Sequence, residues 1–81
     1  MVKVKGMNPN RITDIEFHTE ATIVDITAEP AIRERLLEMG LSPGRSLRVL
    51  RHLPMGGPWV VLVGSLFLAL RGEEAEQVWV K

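Results

Sequence analysis

Eighty-one residues with ten basic and ten acidic side chains and no cysteine make one small domain and exclude disulfide or thiolate-metal scaffolds. Zero net charge argues against a dedicated nucleic-acid binder, whose affinity comes from many Lys and Arg contacts to phosphate, and gives little electrostatic protection against self-association. No apolar run approaches the roughly 20 residues of a membrane span, and MVKVKGMNPN holds no hydrophobic signal core, so neither membrane insertion nor export is expected.

Met1 to Asn10 holds two lysines, a glycine and the turn pair Asn8-Pro9. It reads as a flexible tail, although Val2 and Val4 alternate and could pair as a short edge strand. Arg11 to Phe17 is taken as a single helical turn capped by Thr13 or Asp14, with a short extended piece as the alternative. Ala21 to Ile26 has the β-branched character of a strand.

Thr27-Ala28-Glu29-Pro30 then opens a helix: Pro30 fits the first turn, Thr27 is a candidate cap, and Glu29 suits the positive helix end. Ile32, Leu36 and Met39 share one helical face, widened by Leu37. Gly40 stands where a left-handed C′ residue is wanted, and Leu41 could fold back onto the last turn. Ser42-Pro43-Gly44 reads as a tight turn, with proline setting φ and glycine supplying positive φ after it.

Arg45 to His52 is the second strand, with Leu47 and Val49 on its apolar face. Leu53-Pro54-Met55-Gly56-Gly57-Pro58 must leave the sheet, since no central strand tolerates that composition. Trp59 to Val63 is the third strand, Gly64-Ser65 a two-residue hairpin turn, and Leu66 to Arg71 the fourth strand. Alternation sets Leu66, Leu68 and Leu70 on the core face and Phe67, Ala69 and Arg71 on the other. Gly72 ends it, Glu73 to Glu76 suits one turn, and Val78 to Val80 is a last strand. About five short strands with one α-helix inserted after the first predict a mainly β, small SH3-like barrel over residues 11–81.

Catalytic chemistry finds no foothold. The two histidines, His18 and His52, show no paired-ligand spacing. Ser42 and Ser65 lack a nucleophile elbow, and Gly56-Gly57 is not part of a P-loop. Asp14, Glu16 and His18 alternate and could offer donors to a metal from one side of an extended segment. Solvated polar residues are the ordinary explanation, so no metal or cofactor is assigned.

Binding chemistry is more promising. Arg45, Arg48, Arg51, His52 and Arg71 concentrate in the second and fourth strands, either as a basic docking face or as a solvated one. Leu53, Met55 and Trp59 flank a surface loop and are types that protein interfaces use. Met55 is expected outward; Trp59 could face either way. The expected partner-binding residues are Leu53, Met55, Trp59, Arg48 and Arg51.

Four motifs in order, LLEMGLSPG (Leu36–Gly44), PMGGP (Pro54–Pro58), LALR (Leu68–Arg71) and EEA (Glu73–Ala75), resemble the FeoA domain of bacterial ferrous-iron transport. The resemblance runs from Ala21 to Val80, about three quarters of the chain. It departs at EFHTE (Glu16–Glu20), where the family often has a Pro-Gly turn, and at Gly72. The resemblance implies an SH3-like fold, similar also to the C-terminal domain of DtxR-type metal-dependent repressors. No helix-turn-helix reader is expected in a chain of this length. It further implies a small cytoplasmic, non-enzymatic accessory protein that binds and regulates FeoB, the permease with a cytoplasmic GTP-binding domain. A second copy of the chain is the other partner considered. The alternative functions are a small nucleic-acid-binding barrel and a metal-responsive regulatory module.

Overall fold

The computed structural model describes residues 9–81. Six strands and two short α-helices follow in the order β1 (Asn10–Arg11), a 3-10 turn (Ile12–Asp14), β2 (Glu20–Ile26), α1 (Pro30–Glu38), β3 (Ser46–His52), β4 (Trp59–Val63), β5 (Leu66–Leu70), α2 (Gly72–Ala75) and β6 (Val78–Val80). The strands pair antiparallel in the spatial order β1-β6-β2-β3-β4-β5. The mainly β architecture is as expected, with one strand more than the roughly five read from the sequence. Asn10, placed in the tail by composition, pairs with Val80 in β1. The tail proper and the edge strand imagined at Val2 and Val4 lie outside the described residues.

The barrel curls because β2 changes partners along its length. Glu20 to Thr22 pair with β3, whereas Ile23 to Ile26 pair with β6. The register slips between Ile23 and Asp25, and such an irregularity bends a strand. One apolar cluster fills the interior, with Ile23, Leu36, Leu47, Val61, Leu70 and Val80 all nearly inaccessible to water.

Helix α1 docks as its periodicity requires. Leu36 is fully buried, while Ile32, Leu37 and Met39 pack against the core from its margin. The helix stops in a Schellman motif. Gly40 adopts φ 105°; its N–H donates to the Leu37 carbonyl at 3.0 Å and the Leu41 N–H donates to the Leu36 carbonyl at 3.1 Å. Leu41 is then fully buried, the apolar contact that accompanies this motif. Ser42 to Arg45 form a turn closed by Arg45 N–H to the Ser42 carbonyl at 3.2 Å, with Gly44 at φ 96°. Gly44 N–H donates to the Ile23 carbonyl at 2.7 Å and Ile23 N–H to the Arg45 carbonyl at 2.9 Å. Those two bonds fasten the helix stop to the middle of β2.

Several local expectations are corrected. Neither Thr13 nor Asp14 caps the first turn: Arg11 precedes it and makes no side-chain cap bond. Thr27 does not cap α1; Glu29 holds that position. The Thr27 hydroxyl instead accepts a 2.8 Å bond from Trp79 Nε1, so the indole has claimed it. Leu70 is buried and Leu68 packs on the core margin, but Leu66 is 54% exposed. It pairs with the buried Val63 beside the β4–β5 turn, on a strand that has only β4 beside it among the described residues, so the core covers Val63 and leaves Leu66 in solvent. Arg71 and Gly72 belong to the start of α2 rather than to β5. There the Arg71 N–H donates to Glu74 Oε1 at 2.8 Å, and the other carboxylate oxygen of Glu74 pairs with Arg35 of α1. Among the described residues no helix is long and apolar enough to cross a membrane.

Candidate functional site

The Leu53–Pro58 connection is a tight, bonded turn. Leu53 N–H donates to the Pro58 carbonyl at 3.0 Å, and Gly57 N–H to the Pro54 carbonyl at 3.2 Å. Met55 and Gly56 carry φ of 61° and 71°, so both central residues are left-handed, as a type I′ turn demands. Gly57 leaves little room for a side chain: a Cβ there would stand 3.0 Å from both the Leu53 Cβ and the Pro54 oxygen. Asn-Gly is the usual pair in such a turn. Here a methionine occupies the first left-handed position, at a cost of roughly 1–2 kcal/mol relative to an ordinary conformation. Its side chain is fully exposed. Leu53, expected at the same surface, is half-buried.

Three rings gather at the base of the loop. His52 and Trp59 are opposed across β3 and β4, and their rings stack with centroids 3.9 Å apart and planes at 10°. Phe17 meets Trp59 edge-on at 6.3 Å. Phe17 reaches this place because His18 takes a left-handed φ of 67° and its N–H donates to the Val49 carbonyl at 2.8 Å. That bond pins the segment before β2 against β3. Trp59, left open by the sequence, is half-buried and packs on the core margin, while Phe17 remains 45% exposed. Phe17 was not among the expected site residues; only a long-range contact brings it there.

The basic residues do not form one face. A register slip between Val49 and Arg51 inverts the alternation of β3 at Leu50. Arg51 is thereby set opposite Val60 on the outer surface, and His52 opposite Trp59 on the other side of the strand, where it stays exposed. Arg48, opposite Leu62, is engaged by Glu20 at 3.3 Å. Arg45 spreads its guanidinium over the helix stop and the β4–β5 turn, 3.8 Å from where a Gly40 Cβ would stand and 2.9 Å from that of Gly64. Arg71 precedes α2. Arg48 and Arg51 thus stand on the outer face, Arg51 toward the loop end that holds Met55 and Trp59, and Arg48 farther along, opposite Leu62 near the β4–β5 turn. Asp14, Glu16 and His18 are exposed, and among the described residues no three His, Cys, Asp or Glu side chains gather to hold a metal.

The FeoA domain model matches residues 11–81. The chain belongs to the FeoA family. Its fold is similar to that of FeoA from Chlorobium tepidum, with 35% identity and a TM-score of 0.79 over 88% of this chain and 68% of that one. It is also similar to Stenotrophomonas maltophilia FeoA in complex with zinc, with 34% identity and a TM-score of 0.74 over 86% of this chain and 87% of that one. That protein is described as a prokaryotic SH3 domain protein and as a candidate activating factor of bacterial ferrous iron transport. A manganese-dependent transcriptional repressor shares the fold alone, at 22% identity and TM-score 0.83, across 95% of this chain and 38% of the repressor. No curated protein sequence matches the chain.

Each FeoA motif now has a physical meaning in this chain. LLEMGLSPG is the Schellman stop and the turn fastened to β2. PMGGP is the type I′ loop. LALR runs from β5 into the residue that precedes α2, and EEA supplies the Glu74 carboxylate that closes that junction, with Ala75 fully buried behind it. FeoA proteins serve ferrous iron transport as small accessory proteins.

Proposed function

We propose that this FeoA domain is a non-enzymatic docking module of the cytoplasm that binds the soluble, GTP-binding part of a FeoB-type permease and tunes ferrous iron uptake. The observation that carries the reading is Met55. An apolar side chain is held fully in solvent by a backbone conformation that disfavours its residue type. Strain kept at an exposed position points to use of that position. Phe17 and Trp59 add ring surface at the base of the same loop, and aromatic and Met side chains are enriched at interface cores. Arg51 contributes a rim cation for an acidic partner. Arg48 contributes less, because Glu20 already compensates its charge.

The test is capture of the permease's soluble domain by the immobilised chain, compared between wild type and Met55→Asp. Retention by the wild type and loss in the folded variant support the reading. Absence of retention by either overturns it. Retention of RNA that falls steeply with salt would instead favour the nucleic-acid barrel. A melting temperature raised by Fe(II) or Mn(II) would favour the metal-responsive module.

A further inference from the structure

The two ends of the sheet are treated differently by the sequence. The β1 edge is two residues long, follows Pro9 and carries Arg11, all devices that discourage another strand from pairing there. The β5 edge has none of them. LFLAL contains no charge, proline or glycine, and its register with β4 is continuous from Val63–Leu66 to Trp59–Leu70. Among the described residues only β4 neighbours it. It also exposes Phe67 to 70% and Leu66 to 54%.

We propose that the outer edge of β5 is a self-association surface, at which a second copy of this chain adds its own β5 antiparallel in an isologous dimer. This goes beyond the permease reading and does not depend on it. The backbone selects the register. In a hairpin with a two-residue turn the closing pair, here Val63–Leu66, is hydrogen-bonded, and bonded and non-bonded pairs then alternate. Leu66, Leu68 and Leu70 therefore bond inward to β4, and the outward N–H and C=O groups are those of Phe67 and Ala69. A twofold axis at Leu68 lets Phe67 of each copy exchange both backbone bonds with Ala69 of the other.

The side chains agree with that register. The large exposed Phe67 ring falls beside a small alanine on the outer face, and the exposed Leu66 falls opposite the well-packed Leu70. A twofold interface must complement itself, and a strand with the order Leu-Phe-Leu-Ala-Leu does so. Charge opposes nothing: the strand is neutral and the chain's net charge is zero. A foreign strand would satisfy the backbone equally, but nothing in LFLAL offers a charge to select one.

Sedimentation velocity of the full chain over a concentration series tests the proposal, with amide exchange at Phe67 and Ala69 as the local readout. The expected result is a concentration-dependent dimer in which those two amides become protected. Ala69→Lys sets a charge on the edge, and Ala69→Pro deletes an outward N–H without touching a bond to β4. Both are expected to weaken the dimer at least tenfold while circular dichroism stays native. Met55→Asp should leave the dimer unchanged, so this proposal and the permease reading fail separately. A chain monomeric into the millimolar range, or a dimer indifferent to both Ala69 variants, would overturn it. So would protection of the two amides in the monomer that disappears when residues 1–8 are deleted, since the chain's own terminus would then cover the edge.

Discussion

The imidazole of His52 lies flat on the indole of Trp59, ring centroids 3.9 Å apart and planes within 10°. The two residues bracket the loop that presents Met55, so their stack closes its base. Aromatic pairs of this kind contribute about 0.5–1.5 kcal/mol beyond area burial. His52→Ala is expected to lower stability by about that amount in urea titrations followed by Trp fluorescence. A variant as stable as wild type would mean that the backbone hydrogen bonds of the loop, Leu53–Pro58 and Gly57–Pro54, hold it without the ring stack.

Met55→Asn separates stability from binding. Asparagine tolerates the left-handed position of a type I′ turn far better than methionine. The variant is expected to be more stable by about 1 kcal/mol and to bind the permease domain more weakly. Chemical denaturation reads the first effect and affinity the second. A stability decrease would contradict the conformational account.

Gly40→Val should destabilise by roughly 1–3 kcal/mol, because a β-branched residue is strained at the φ of 105° found here. A clash with surrounding groups is not the cause. The nearest atom to the added Cβ is Arg45 Nη1, at an ordinary contact distance of 3.8 Å. Gly40→Ala should therefore lose most of the same stability. A near-neutral alanine would shift the cause to the valine's branching.

Glu74 joins two elements, accepting from the Arg71 N–H at the start of α2 and pairing with Arg35 of α1. Its side chain is 9% accessible, whereas that of Arg35 is 57% accessible. Removing the carboxylate strands a backbone donor more than it strands the arginine, which can turn to water. Glu74→Ala is expected to cost about 1–3 kcal/mol. Glu74→Gln, which keeps an oxygen for the Arg71 N–H, should recover most of it in thermal melts. Equal losses in both variants would make the ion pair the larger contribution.

What could be read in advance was what depends on near neighbours. Gly40, Pro43 and Gly44 announced the helix stop and the turn because backbone sterics act within a few residues. The Gly/Pro composition around Met55 announced an exposed loop for the same reason. The arginines could not be placed in advance because strict alternation carries no sign of the slip at Leu50, which brings Arg51 to the side of Arg48 and sets His52 against Trp59. Thr27 looked like a cap until Trp79, 52 residues further on, took its hydroxyl. Phe17 joined the loop's base only through the His18–Val49 hydrogen bond. Leu66 had the right parity and still faced solvent, because alternation gives the side of a strand and not whether another element covers that side.

The most direct test of the docking account is calorimetric titration of the permease's soluble GTP-binding domain with this chain and with Met55→Asp. The account predicts saturable binding by the wild type, and a loss of about 1–2 kcal/mol in the variant with its melting temperature unchanged. Equal affinity for both chains would contradict it and move the docking surface away from the Met55 loop.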